Sequence, residues 1–225
     1  MPSILRREPS AWLLGGQLLS LLLYPFLEDS DVGRALFSVL GIALLGLVVL
    51  AVRQSPGLTW VAVLLGVAAT VLLLVQAVTG NSELLPWSSG VEAVLYLYAA
   101  GALIAYMLAD HEVTRDELFA VGAAFTLVAW AFAHVYVVCQ ALAPDSFIAA
   151  IHPGRPRTWV ELLFLSFTTL SSTGLSDVVP VRAFARVLVM FEQLAGVAYL
   201  AMLVSRLVGL TTMRGPGTGQ RAGRR

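Results

Sequence analysis

Six long apolar stretches, at residues 11–27, 35–52, 58–78, 91–109, 118–142 and 183–210, leave this chain few ways to fold. Crossing about 30 Å of hydrocarbon at about 1.5 Å per residue takes roughly 20 apolar residues, and each stretch meets or approaches that length. With 58% hydrophobic and 12% charged residues and a mean hydropathy of +0.83, the chain belongs in a bilayer. The expected fold is an all-α membrane protein of six transmembrane helices. Polar punctuation at 28–31, 53–57, 80–83 with Pro86, and 110–114 separates the stretches. Arg6-Arg7 before the first run could suggest a leader, but no small-residue cleavage site follows it and further spans do.

Local signals refine the boundaries. A hydroxyl followed three residues later by Glu marks a helix start, and three such pairs occur: Ser89 with Glu92, Thr114 with Glu117, and Thr158 with Glu161. The third opens a short helix, 158–170, too short to span, which is expected to dip into the membrane and return. All 14 basic residues are Arg. Placing Arg6, Arg7, Arg53, Arg115, Arg206 and the basic end on the inside puts both termini in the cytoplasm and the acidic loop 28–31 outside. Arg155, Arg157, Arg182 and Arg186 oppose that rule, and are assigned to a structured turret. Residues 213–225 form a basic tail expected to be disordered. The single Cys139 lies in an apolar stretch, so a buried, inert thiol is expected and no intrachain disulfide is possible.

Between the fifth and sixth stretches lies Leu165-Ser-Phe-Thr-Thr-Leu-Ser-Ser-Thr-Gly-Leu-Ser-Asp-Val-Val-Pro180. An apolar helix running into hydroxyls, one Gly, an Asp and then a Pro resembles the signature of potassium channels. Ser171, Ser172, Thr173, Gly174, Leu175, Ser176, Asp177 and Pro180 align with it without gaps. Gly174 and Asp177 are kept, Ser171 and Ser172 replace hydroxyls, and Thr173, Leu175 and Ser176 stand where the family has Val, Tyr and a second Gly. After Arg186, the inner-helix likeness places Gly196 where the family has a gating hinge. Together with Thr114-Arg-Asp-Glu-Leu and the end of the last stretch, residues 110–210 look like a prokaryotic six-helix ion channel with a degenerate filter.

The resemblance implies a homotetramer in a bacterial cell membrane, since one chain supplies a quarter of each ring of oxygens. Residues 171–177 are then the selectivity filter. A monovalent cation, K⁺ or another, is held mainly by backbone oxygens of Ser172, Thr173, Gly174 and Leu175. No cofactor, and no partner besides membrane lipid and further copies of the chain, is implied; no nucleic acid is expected. The departures loosen the filter. Ser176 is expected to take left-handed angles at a cost of roughly 1 to 2 kcal/mol, and Leu175 faces Phe164 and Leu165 without a hydroxyl to bond. Reduced discrimination between potassium and sodium follows. Single-Gly loops of this kind also resemble the filters of Trk and Ktr potassium transporters. The domains are 1–110, four peripheral helices arranged like an uncharged voltage sensor; 111–212, the pore; and 213–225, the tail.

Glu192 stands out as an acid well inside a spanning stretch, where an ionisable group is costly enough to be functional. His134 lies at a similar depth, so Glu192 is expected to support the filter from behind by bonding His134 or Thr168, or else to face water in the pore. The fourth stretch has no Arg or Lys, which argues against steep voltage gating. Trp12, Trp60, Trp87 and Trp159 lie near helix ends, as an interfacial belt does, and Gly41, Gly46, Gly122 and Ala123 suit close packing. No catalytic constellation is present, so an enzyme is not expected. The alternative to a channel is a non-conducting homologue that senses or assembles in the membrane.

Overall fold

The computed structural model describes residues 8–27, 31–53, 57–109 and 114–213. Arg6, Arg7, most of the acidic loop 28–31, most of the linkers 53–57 and 110–114, and the tail from 214 onward lie outside the described residues. Helix α1 spans Pro9–Leu27, α2 Asp31–Val52, α3 Thr59–Thr79, α4 Leu85–Leu108, α5 Arg115–Leu142, α6 Trp159–Leu170 and α7 Ala183–Met213. The fold is that of an all-α membrane protein with one small ribbon, in which β1 (Phe147–Ala149) pairs antiparallel with β2 (Val178–Pro180). Among the described residues four helices, α3, α4, α5 and α7, are long and apolar enough to cross a membrane. Helix α1 carries two glycines, Gln17 and Pro25 in 19 residues, which dilute its apolar character.

Helix α4 starts six residues before the expected 91, because Pro86 falls in its first turn, where a missing N–H costs nothing. The Ser89 and Glu92 pair is therefore not a cap: both side chains are buried along the helix. The other two starts are caps. Thr114 Oγ1 accepts from the Glu117 N–H at 3.2 Å, and Thr158 with Glu161 forms a full reciprocal box.

Alanines give the bundle its closeness. Ala99, Ala100 and Ala102 on α4, with Ala120, Ala123, Ala124 and Ala131 on α5, are all buried in one core that also takes Leu13 of α1 and Leu44 of α2. A Cβ on Gly122 would lie 2.9 Å from Leu14, and one on Gly16 2.8 Å from Leu44, so these two glycines mark the tight crossings. Gly41 and Gly46 have open space beside them, contrary to the expected close packing. Polar ties fix the helix ends: the Ser10 N–H and hydroxyl donate to Asp116 at 3.0 and 2.9 Å, and Arg206 on α7 pairs with Glu117 on α5 at 2.9 Å.

Trp12, Trp60 and Trp87 are exposed, as belt residues are. Trp159 is not one of them: it is half-buried, with its ring 5.4 Å from Trp130 and 5.7 Å from His134. Cys139 is buried and free.

Candidate functional site

The chain between α5 and α7 is built as a clasp. The β1–β2 ribbon, with Ile148 opposite Val179, ties the segment leaving α5 to the segment entering α7. The guanidinium of Arg157, 3% exposed, donates to the carbonyls of Ile151, His152 and Arg155. Its backbone is held on both sides by Gln140 of α5, which accepts from the Arg157 N–H at 2.8 Å and donates to the Arg157 carbonyl at 3.0 Å. Arg157 thus belongs to the interior of the turret, and a charge so placed carries no topological information. This clasp delivers Thr158 to the head of α6, where its hydroxyl accepts from the Glu161 N–H and Glu161 accepts from the Thr158 N–H at 2.7 Å.

At the other end of α6 the loop folds back onto the helix. The N–H groups of Thr173 and Gly174 both donate to the Thr168 carbonyl, at 2.9 and 3.1 Å, and the Thr173 hydroxyl donates to the same oxygen at 3.2 Å. Ser171 caps Phe167 in turn, through its N–H at 3.0 Å and its hydroxyl at 2.6 Å. Two residues take left-handed backbone, Gly174 at φ 68° and Ser172 at φ 59°. Ser172, and not Ser176, is therefore the side chain that bears the steric cost. The Ser176 hydroxyl instead accepts from the Val178 N–H at 3.1 Å, turning the chain into β2. Because the loop spends its donors on the helix end, no donor among the described residues reaches the carbonyl oxygens of residues 171–176. The loop is largely exposed on the single chain, and Leu175 is 77% exposed rather than seated on Phe164 and Leu165.

Behind the loop, α7 presents one narrow buried stripe: Ala185, Val189, Glu192, Gly196 and Tyr199, spaced by four and three as one helix face requires. The Glu192 carboxyl is fully buried and accepts from the Tyr136 hydroxyl of α5 on one oxygen and the Ser166 hydroxyl of α6 on the other. One side chain thereby joins three helices. The expected partners are elsewhere. His134 stands beside Glu92 of α4, with Nδ1 3.5 Å from Oε2, and the Thr168 hydroxyl donates to the Leu165 carbonyl at 2.9 Å. One turn beyond Glu192, a Cβ on Gly196 would fall on the Leu170 carbonyl, 2.9 Å from its carbon and 3.1 Å from its Cα. The backbone of α7 rests directly on the last residue of α6, and only Gly permits that contact.

No motif in the sequence marks Tyr136, Ser166 or Gln140. All three sit at helical positions among apolar neighbours, and a hydroxyl or amide in such a setting is the signal that could have marked them. Glu92 was legible only as a cap, so Glu192 appeared to be alone as an embedded acid; Glu92, 7% exposed in the second turn of α4, is another.

Residues 124–212 match a family model described as an ion channel. The match takes in most of α5, the clasp, α6, the loop and α7, and covers less than half of the chain. It supports an ion-channel family and, with the apolar helices, a multi-pass membrane protein in a lipid environment. Neither a curated protein nor a solved structure matches the chain.

Proposed function

We propose that the chain is the subunit of a homotetrameric transmembrane cation channel, with residues 171–177 as its filter. The observation that carries this reading is the direction of the loop's hydrogen bonds. The donors of Ser171, Thr173 and Gly174 turn inward onto α6, so the carbonyl oxygens of Ser172, Thr173, Gly174 and Leu175 are left to replace the water shell of a K⁺ or other monovalent cation. Irregular backbone at membrane depth is tolerated where it lines a water-filled path. Four copies around one axis close each ring.

The inner helix supports the same assembly. Only 22% of the membrane-length apolar stretch of α7 is buried within the chain, against 56% for that of α5. Phe184, Phe191, Leu194 and Val197 are exposed beside the buried stripe, a surface suited to neighbouring subunits and the pore. Helices α1 and α2 complete six crossings, with both termini cytoplasmic and the loop facing outward. With no Arg or Lys on α4, opening is not steeply voltage dependent. With one filter glycine in place of two, the channel discriminates weakly between potassium and sodium. Because α7 rests on Leu170 through Gly196, a bend at Gly196 acts directly on the end of α6.

Reversal potentials of the purified protein in bilayers with asymmetric potassium and sodium test the reading. A cation-selective current is expected, together with its loss in Gly174→Ala, which adds a Cβ at the left-handed glycine. A Gly174→Ala protein that conducts like the parent would show that ions do not pass along this loop.

A further inference from the structure

Among the buried polar groups that the proposed pore does not use, several converge on one cavity. It has a volume of about 490 Å³ and lies between α1 to α5 and the head of α6. That volume falls in the range of small-molecule sites, about 300 to 1,000 Å³. Tyr96, Trp130, His134 and Trp159 contribute rings to its wall, and Glu92 contributes a carboxyl. The rings pack on one another, with centroids 5.4 to 5.9 Å apart, which fixes the wall's shape.

The polar groups on this wall are incompletely matched. Among the described residues the Glu92 carboxyl makes no hydrogen bond, and the His134 ring stands 3.5 Å from it. His134 Nδ1 and Trp130 Nε1 are buried without a hydrogen-bond partner, in residues 8% and 4% exposed. Arg157, the other charged group on the wall, is already held by the turret carbonyls. A buried acid without a hydrogen-bond partner and aromatic surface in one cavity match an ammonium group with an apolar body. The cation supplies what Glu92 lacks, and the rings favour a cation at their faces.

We propose that this cavity is a binding site for a small organic ammonium, arriving either as a free amine or as the headgroup of an ethanolamine lipid. Calorimetric titration of the detergent-solubilised full chain with 2-phenoxyethylammonium tests the free source. One site per chain is expected, with the uncharged isostere 2-phenoxyethanol binding at least about tenfold more weakly. Glu92→Gln is expected to lose about tenfold in affinity for the ammonium, and Glu92→Asp to stay within about threefold of the parent. Ala77→Phe, on the exposed rim of the cavity, should block entry while keeping Glu92, and serves where Glu92→Gln does not fold. Native mass measurement with phosphatidylethanolamine against phosphatidylglycerol tests the lipid source; a retained ethanolamine lipid that Glu92→Gln or Ala77→Phe releases supports it. Binding in either arm with these dependences supports the site and names the source. Equal binding of the ammonium and the alcohol, binding undiminished by the Glu92→Gln and Ala77→Phe variants, or no binding in both arms overturns it.

Discussion

Two buried glutamates, Glu192 on α7 behind the loop and Glu92 on α4, meet opposite fates in this fold. Glu192 is enclosed, and hydroxyls from α5 and α6 occupy both its oxygens. Glu92 opens on a cavity beside a histidine and has no hydrogen bond among the described residues. A buried polar group that is fully bonded rigidifies its surroundings, whereas one left unmatched costs free energy until something supplies its partner. The same side chain is therefore a structural joint in one region and a receptive group in the other. Geometry, not residue type, separates the two roles.

The strongest test of the rigid side is Gly196→Ala. Its Cβ collides with backbone that has no rotamer to change, so a loss of about 3 kcal/mol or more is expected in thermal melting of the solubilised protein. Unchanged melting would mean that α7 does not rest on Leu170. Glu192→Ala comes next. It strands the Tyr136 hydroxyl in the interior, while the Ser166 hydroxyl keeps the Ala129 carbonyl at 2.7 Å, so a loss of about 2 kcal/mol is expected. Glu192→Gln, which can still accept one hydroxyl, should lose about 1 kcal/mol.

A double-mutant cycle sharpens the contrast. Glu192→Ala combined with Tyr136→Phe should show a coupling of about 1 to 2 kcal/mol, and combined with His134→Phe a coupling near zero. Equal couplings would return His134 to the back of the loop. The smallest expected effect belongs to Glu92→Gln, which breaks no hydrogen bond and replaces a buried ionisable group by a neutral one. Its melting should match or slightly exceed the parent's. A loss as large as that of Glu192→Ala would erase the distinction between the two sites.

Much of this architecture was legible along the chain. The apolar runs placed the long helices, the Thr158 and Glu161 box placed the head of α6 to the residue, and the run of hydroxyls around Gly174 marked the loop. One boundary and one strand pairing were not legible. Pro86, read as a linker residue, is tolerated in the first turn of α4 and extends that helix back to Leu85. Val178 and Val179 form a strand whose partner lies about 30 residues earlier, a pairing that no local pattern specifies.

What the sequence by itself determined is position along each helix axis, because length, caps and depth all follow from counting residues at a fixed rise. What only the tertiary structure decided is the direction around each axis. His134 and Tyr136 differ by about 3 Å in depth but point about 200° apart on α5, one toward α4 and the other toward α7. Ser166 and Thr168 divide in the same way on α6, Ser166 reaching Glu192 and the Thr168 hydroxyl turning back onto the Leu165 carbonyl of its own helix. Depth allowed His134 or Thr168 as the partner of Glu192; the packing of α5, α6 and α7 turned Tyr136 and Ser166 to it instead, since a side chain bonds whatever its helix face meets.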